Sequence, residues 1–368
     1  MAAEDFTLLP DLASRALGGG VVHANDEFFA AADHLVLPAP PVFTPRSFDH
    51  KGQVYDGWET RRRRGPGRDV AIIRLGAPGV IRGIDIDTAF FTGNFPPYAS
   101  VEAIAVAGYP DLSGTSEEEP RVGTPAPGAE RAGHGGSGPG GSAGGVGSAG
   151  IAGAESGWVT LVAKTALRGD ARNLFAVHDR RRFTHVRLTI YPDGGVARLR
   201  VHGDVVVDPA LLPEVFDVAA LAHGARVTGC SNQFYGHPQN MLMPGVAQHM
   251  GDGWETSRRR DDGNDWVVVE LAAPADITHV DLDTTHFKGN APGSASLKGH
   301  DGGEWFDILP DTPLRPDTPH RFPVRPGRAA THVRLDIHPD GGMARLRLHG
   351  RPVPGYLEDK FRRHVELG

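Results

Sequence analysis

A set of polar side chains occurs twice along the sequence, in residue types that can bind a polar ligand or transfer protons. Gly57-Trp58-Glu59-Thr60 runs into a cluster of arginines, and Gly253-Trp254-Glu255-Thr256 is followed by arginines as well. Carboxylates move protons, guanidinium groups bind anions through paired hydrogen bonds, and asparagine both donates and accepts. The repeated set therefore predicts a functional site, whose candidate residues are Glu59, Arg62, Arg63, Asp87, Asn94, Glu255, Arg258, Arg259, Asp283 and Asn290.

Members of this set also have a structural interpretation. Trp58 is typical of a core anchor between two sheets. Asp85 and Asp87 are expected beside the strand Arg198-Leu199-Arg200, whose arginines would pair with them, because buried charges persist only when paired. Glu59 follows a turn and precedes the arginine run, which makes it the strongest candidate for a carboxylate in a cleft.

Familiar catalytic and metal-binding motifs are missing from the sequence. It has no Gly-rich phosphate loop after a strand, no His-Glu-x-x-His and no cysteine pair. His286 and His300 of the second copy correspond to Phe90 and Ile104 of the first, so a metal site there would exist in one half only. No cofactor is indicated, and a divalent metal is compatible with the sequence but has no motif to support it.

Composition excludes several classes of partner. The 368 residues carry 38 Lys and Arg against 45 Asp and Glu, a net charge of −7, which argues against nucleic acid and anionic membranes as partners. The single cysteine, Cys230, cannot form an internal disulfide. Neither a basic-then-apolar leader nor an apolar run of membrane-spanning length occurs. The sequence predicts a cytoplasmic protein, and a homo-oligomer is compatible with it.

Internal repetition extends well beyond the Gly-Trp-Glu-Thr motif. Asp85-Ile86-Asp87-Thr88 recurs as Asp281-Leu282-Asp283-Thr284 at an offset of 196, and Thr184-His185-Val186-Arg187-Leu188 recurs as Thr331-His332-Val333-Arg334-Leu335 at an offset of 147. The chain is therefore two copies of one domain. The offset drops by 49 residues, which places an insertion in the first copy between about Ala103 and Trp158. Its Gly-rich composition predicts a disordered surface loop at about 110–157.

Short strands are the expected building elements. Ile84 to Asp87 alternates apolar and polar residues, the period of a strand with one buried face. Pro192-Asp193-Gly194-Gly195 is typical of a turn, and we expect a hairpin around it and around Pro339–Gly342. The pattern predicts an all-β protein with two tandem β-sandwich domains. Asp208–Ala222 is expected to form a short connecting helix, and Tyr356–Leu367 a closing one.

The motifs together resemble the allantoicase (allantoate amidinohydrolase) family. The resemblance runs from about Asp26 to Gly350, outside the Gly-rich insertion, and rests on Gly57-Trp58-Glu59-Thr60-Arg61-Arg62, Gly83-Ile84-Asp85-Ile86-Asp87-Thr88, Phe91-Thr92-Gly93-Asn94-Phe95-Pro96 and Pro192-Asp193-Gly194-Gly195 with Ala197-Arg198-Leu199-Arg200. It implies two repeated jelly-rolls of the galactose-binding type. It also implies hydrolysis of allantoate to (S)-ureidoglycolate and urea, a step of allantoin degradation in purine metabolism.

Matching the candidate residues to allantoate gives each of them an expected role. An arginine among Arg62, Arg63, Arg258 and Arg259 would bind the carboxylate, and Glu59 or Glu255 would move protons. Asp87 or Asp283 and Asn94 or Asn290 would orient the ureido groups. The competing interpretation is a jelly-roll module that binds carbohydrate or another polar ligand without catalysis.

Domain boundaries follow from the repeat. We expect an N-terminal segment over 1–20, a first jelly-roll over 21–206, a linker over 207–221, a second jelly-roll over 222–350 and a C-terminal tail over 351–368.

Overall fold

Strands dominate both halves of the chain, as the sequence predicts. The computed structural model describes residues 5–108, 157–325 and 327–366. The first half contains β1 (Gly20–Ala24), β2 (Phe48–Asp49), β3 (Gly52–Gln53), β4 (Trp58–Glu59), β5 (Asp69–Asp87), β6 (Tyr98–Ile104), β7 (Val159–Ala166), β8 (Arg172–Ala176), β9 (Arg182–Tyr191), β10 (Gly195–Val196) and β11 (Arg198–Val205).

The second half repeats this order with two differences, since it lacks a counterpart of the β2–β3 pair and begins with an additional two-residue strand. It contains β12 (Phe216–Asp217), β13 (Arg226–Cys230), β14 (Trp254–Glu255), β15 (Asp265–Asp283), β16 (Ser294–His300), β17 (Trp305–Pro313), β18 (Pro319–Pro323), β19 (Ala330–His338), β20 (Gly342–Met343) and β21 (Arg345–Pro352). Helix α1 (Tyr356–Val365) follows. Single 3-10 turns lie at Phe6–Leu8, Arg15–Leu17, Ala32–Val36, Pro209–Leu211, Leu221–His223, Pro238–Leu242 and Met250–Asp252.

One long strand organises each repeat. The first part of β5 pairs with β1 and β9, and its second part, after a register shift between Arg74 and Gly79, pairs with β8 and β11. The matching strand β15 pairs in the same way with β13, β19, β18 and β21. Each long strand therefore serves two groups of antiparallel strands, and the chain forms the two tandem jelly-roll sandwiches that the sequence predicts.

The hairpin predicted around Pro192–Gly195 is wrong. Strands β9 and β11 on either side of this turn do not pair with each other. Strand β9 pairs mainly with residues 69–74 of β5 and β11 with residues 79–87, and both strands pair with Gly79 and Val80. Between them, the two-residue strand β10 pairs with β4, the strand that carries Glu59. The same correction applies around Pro339–Gly342, where β20 pairs with β14. The turn is a crossover that brings its own residues next to the Trp-Glu motif.

The segments that connect and close the domains also differ in part from expectation. Asp208–Ala222 contains two 3-10 turns and the short strand β12, so the predicted connecting helix is wrong as a single element. The closing helix is confirmed as α1, and Leu357 on it is buried. No helix among the described residues is both long and apolar enough to cross a membrane. The insertion expected at about 110–157 lies almost wholly outside the described residues, and the domain boundaries stay predictions.

Most of the buried apolar side chains of both repeats form one continuous cluster, and Ala247, Phe287 and Ala344 form a small separate one. Trp58 and Trp254 are fully buried in the large cluster, which confirms their structural interpretation. The indole Nε1 of Trp58 donates to the carbonyl oxygen of Asp26 at 2.7 Å, and that of Trp254 to the carbonyl oxygen of Asn232 at 2.8 Å. Each tryptophan thus fixes the start of the strand on which the neighbouring glutamate stands.

Candidate active site

A cleft of about 470 Å³ opens beside β4 in the first repeat. Its size falls within the range of small-molecule sites. Four of the ten predicted site residues line it together. The lining residues are Phe29, Glu59, Thr60, Arg62, Arg63, Gly93, Asn94, Phe95, Pro97, Pro192, Asp193 and Gly194. We call this cavity the Glu59 cleft.

Glu59 is held in place by backbone pairing on both sides. It pairs with Gly195 of β10, and it forms an isolated bridge with Ala30. Its side chain accepts a hydrogen bond at Oε1 from Nδ2 of Asn94 at 2.7 Å. The carbonyl oxygen of Asn94 in turn accepts from the backbone N–H of Gly195 at 2.8 Å. The glutamate and the asparagine that the sequence predicts for one site are therefore direct partners.

The crossover turn supplies a further carboxylate that is not among the ten candidates. Asp193 lines the cleft, and its Oδ2 accepts from the backbone N–H of Arg63 at 2.7 Å. Thr60 fixes the turn, because its backbone N–H donates to the carbonyl oxygen of Gly194 at 3.2 Å and its Oγ1 accepts from the N–H of Gly194 at 3.2 Å. Gly194 has φ +140°, and an added Cβ would lie 2.6 Å from the nitrogen of Pro96. The recurrence of Pro-Asp-Gly-Gly was the signal that could have identified Asp193.

The two adjacent arginines have different environments. Arg63 is buried, and its Nη2 lies 2.9 Å from Oδ1 of Asp69, whose side chain is fully buried. Arg62 lines the same cleft but is exposed, and it makes no ion pair with any residue that the structure describes. Arg63 therefore contributes to the wall of the cleft, whereas the Arg62 guanidinium is available to a ligand.

Burial shifts the acidity of both carboxyl groups in the cleft. Removal of Glu59 from water raises its pKa above the ordinary value, and the hydrogen bond from Asn94 opposes part of that shift. Burial also raises the pKa of Asp193, while the N–H of Arg63 lowers it. A glutamic acid that keeps its proton more readily than usual suits the role of a proton donor.

The second repeat holds the same polar contacts around Glu255, which we call the Glu255 site. Nδ2 of Asn290 donates to Oε1 of Glu255 at 2.5 Å. Oδ2 of Asp340 accepts from the backbone N–H of Arg259 at 2.8 Å. Arg259 pairs with Asp261 and Asp265, whereas Arg258 is exposed and forms no ion pair within the described ranges.

Asp87 and Asp283 form no hydrogen bond with these glutamates in the part of the chain that the structure describes. Asp87 is not a lining residue of the Glu59 cleft, and its Oδ1 accepts from the N–H of Ala89 at 2.8 Å. Asp283 lines a separate cavity with Arg345 and Arg347, and its Oδ1 accepts from Thr285 at 2.5 and 2.8 Å.

The ion network expected between strands is also arranged differently. Arg198 stands opposite Asp87 in the register and Arg200 opposite Asp85, as expected. The carboxylate of Asp85, however, pairs with Arg172 at 2.6 Å. The two strand arginines instead reach loop carbonyl oxygens and the carboxylates of Asp56 and Asp11. The predicted pairing of Arg198 and Arg200 with Asp85 and Asp87 is therefore wrong, because these arginines fasten the loops that precede β4.

Within the described part of the chain, no group of three or more His, Cys, Asp or Glu side chains is arranged to hold a metal ion. The side chains of the Glu59 cleft offer one exposed guanidinium, an amide and two carboxyl groups whose pKa values are raised by burial. Such a set can bind an anion and transfer a proton beside it.

Comparison with known proteins places these residues in a family. A family model described as the allantoicase repeat matches residues 10–206 and again 216–353. A probable allantoicase of Nocardia farcinica is 51% identical over 355 residues, which cover 95% of this chain and 96% of the relative. A probable allantoicase of Streptomyces coelicolor is 46% identical and covers 99% of this chain and 91% of its own length.

A solved structure agrees with this result. The crystal structure of allantoicase from Saccharomyces cerevisiae superposes with a TM-score of 0.71 at 34% sequence identity, covering 93% of this chain and 92% of the yeast chain. The similarity therefore extends over both repeats.

Proposed function

The chain belongs to the allantoicase family and hydrolyses allantoate in purine catabolism, and we propose that the reaction takes place where Glu59 meets Asn94, where Glu255 meets Asn290, or in both places. The observation that carries this assignment is the direct glutamate–asparagine pair beside an exposed arginine in a cleft of ligand size. It brings together a proton donor, a hydrogen-bonding amide and a site for an anion.

The carboxylate of allantoate is bound by Arg62 in the Glu59 cleft, or by Arg258 at the Glu255 site. Both guanidinium groups are exposed, and neither has an ion-pair partner among the residues described. Arginine can hold a carboxylate by two parallel hydrogen bonds. Arg63 and Arg259 have a structural role. Their ion pairs with Asp69 and Asp265 fix the backbone from which Arg62 and Arg258 project.

Glu59 or Glu255 transfers the proton. The protonated carboxyl group donates its proton to the ureido nitrogen that leaves, and the C–N bond to the central carbon breaks to release urea. The resulting carboxylate then removes a proton from the water whose oxygen bonds to that carbon, which yields ureidoglycolate and restores the carboxylic acid. Allantoate and one water thus give ureidoglycolate and urea, with no change in the protein. Burial of Glu59 favours the protonated starting state.

The ureido groups are held by hydrogen bonds to Asn94 or Asn290. A side-chain amide has two donors and a carbonyl acceptor, and only one N–H of Asn94 is used by Glu59. Asp193, which also lines the cleft, adds an acceptor. The roles of Asp87 and Asp283 as further ligands stay predictions, since neither side chain bonds to the glutamates.

Release of urea from allantoate tests the assignment of the glutamates. We expect the Glu59→Gln/Glu255→Gln double variant to lose about 10²–10⁴-fold in kcat, because a glutamine cannot transfer the proton. Glu358→Gln on α1 is the matched control, since that glutamate is exposed and far along the chain from either motif. Each protein is assayed with and without added divalent metal. If a folded double variant kept full turnover, proton transfer would have to be assigned to another group, and Asp193 would be tested first.

We further infer that the enzyme is cytoplasmic, and that a homo-oligomer is compatible with its surface. The single cysteine, Cys230, supports the first inference because it needs no oxidising compartment. Cell fractionation and the mass of the purified protein in solution test the two inferences.

A further inference from the structure

The Glu59 cleft and the Glu255 site share their polar residues but differ in their walls. Phe29, Phe95 and Pro97 line the Glu59 cleft. The backbone N–H of Phe29 donates to the carbonyl oxygen of Glu59, and Tyr235 occupies the equivalent place at Glu255. At the offset of 196 that relates the two motifs, Ala291 and Gly293 stand where the first repeat has Phe95 and Pro97. A phenylalanine and a proline of the first site are thus replaced by an alanine and a glycine in the second.

Phe95 is fixed in its position by its neighbours. Its ring lies against Gly169, where an added Cβ would be 2.4 Å from Cδ1 of the ring. The side chain also packs against the main apolar cluster of the protein. The Phe95 ring is therefore held in one position in the first repeat.

The loop before β4 in the first repeat is longer than the matching loop before β14 in the second. Trp58 follows Val36 by 22 positions, whereas Trp254 follows Leu242, at the end of the matching 3-10 turn, by only 12. The additional residues include the β2–β3 hairpin. Nζ of Lys51 in that hairpin lies 5.2 Å from the ring centroid of Phe28.

Phe28 in turn supports the wall of the cleft. Its ring meets that of Phe29 edge to face at a centroid distance of 5.0 Å. The matching pair of the second repeat, Phe234 and Tyr235, has the same arrangement at 4.7 Å, but these side chains are 70% and 66% exposed. The aromatic pair is half-buried in the first repeat and open to water in the second.

We propose that turnover takes place in the Glu59 cleft, where the walls formed by Phe29 and Phe95 exclude water from the reacting groups, and that the Glu255 site contributes little to it. This inference rests on the proposed function of the glutamate–asparagine pair. Excluding water strengthens the hydrogen bonds and charge contacts made to the substrate. It also favours the protonated form of Glu59, since burial raises the pKa of that side chain.

Comparison of the two single glutamine variants is the first test. We expect Glu59→Gln to lower kcat for allantoate at least about 100-fold more than Glu255→Gln does. An equal loss in both variants, or a larger loss in Glu255→Gln, would overturn the inference. The proposed function would survive either outcome provided that the double variant is inactive. Full activity of the double variant would instead refute the assignment of proton transfer to either glutamate, on which this inference rests.

Removal of the Phe95 ring is the second test. It measures the effect of water access to Glu59 and leaves the proton donor itself unchanged. Phe95→Ala places at position 95 an alanine, which is the residue at the corresponding position 291 of the second repeat. We therefore expect kcat to fall about tenfold or more. The alkaline limb of its pH profile should move to lower pH, because water around Glu59 relieves the burial that raises its pKa. The charged groups that share the cleft with Glu59 are Arg62, Arg63 and Asp193, and all three are unchanged in this variant.

Phe234→Ala serves as the control, because it removes an exposed ring from the second repeat. It should leave both kcat and the pH profile as in the wild type. Phe95→Leu keeps most of the apolar volume and should recover most of the activity if exclusion of water is the function of the ring. An unchanged pH profile in Phe95→Ala, with the fold intact by circular dichroism, would contradict the inference.

Discussion

At the scale of single residues, two opposing effects act on the carboxyl group of Glu59. Burial in the cleft favours the neutral acid, whereas the N–H of Asn94 stabilises the carboxylate. The balance suits a group that first donates a proton and then takes one back from water. Asn94 therefore contributes to proton transfer as well as to binding of the ureido groups.

Asn94→Ala tests this dual role through the pH profile of kcat. Since the amide N–H stabilises the charged form of Glu59, its loss raises the pKa of that carboxyl group further, and the alkaline limb should move to higher pH. Activity at the optimum should fall about 3- to 10-fold with the lost hydrogen bond. The direction is opposite to that expected for Phe95→Ala, so the pair of variants separates the hydrogen bond from the exclusion of water. A limb that moves to lower pH in Asn94→Ala would contradict the role given to the amide.

The sequence predicted the types of these residues more successfully than their environments. Repetition at a constant offset identified Glu59 and Asn94 together, and they are direct partners. It could not distinguish Arg62 from Arg63, because side chains that follow a two-residue strand have no regular periodicity. Only the structure shows that Arg63 turns inward to the buried carboxylate of Asp69 while Arg62 faces the cleft.

At the scale of elements, the crossover after β9 determines the shape of the site. Local patterning indicated two strands with a Pro-Asp-Gly-Gly turn between them, which is also the signature of a hairpin. The pairing of both strands with the long strand β5 is a long-range property, and the sequence of the turn does not encode it. As a result, the hairpin prediction missed the contact between β10 and β4 that brings Asp193 into the cleft.

The connection between β6 and β7 gives a prediction at this scale. Ala103 pairs with Val159, as Gly299 pairs with Phe306 in the second repeat, where Asp301-Gly302-Gly303-Glu304 joins the strands. Replacing 105–157 by these four residues should therefore span the same gap and leave kcat within about twofold. Among the described residues, the replacement removes the hydrogen bond from the N–H of Val106 to Oγ1 of Thr184, and loss of that bond should change the free energy of unfolding by about 1 kcal/mol.

Thermal melting and urea release measure the two quantities for the shortened protein and the wild type. Loss of folding would show that the replaced residues contribute to the core, and loss of activity alone would show that they contribute to the site. Either result would contradict the view that the strands, rather than this connection, hold the first repeat together.

At the scale of the whole molecule, repetition produced two similar scaffolds with one continuous apolar core. The repeat, the predominance of strands and the closing helix could all be inferred from offsets and periodicity in the sequence. The replacement of Phe95 by Ala291 can also be read from the offset. That Phe95 lines the site, and that Phe234 and Tyr235 are more exposed than Phe28 and Phe29, could not be inferred, because both are long-range properties of the fold. A duplicated domain can thus keep its polar residues in both copies while the surroundings of those residues diverge.

The most direct test of the account is a crystal structure of the Glu59→Gln variant soaked with allantoate. We expect allantoate in the Glu59 cleft, with its carboxylate within hydrogen-bond distance of Arg62, one ureido nitrogen beside residue 59 and a ureido group against Asn94. Allantoate bound instead in the cavity lined by Asp283, Arg345 and Arg347, with the Glu59 cleft empty, would contradict the central claim.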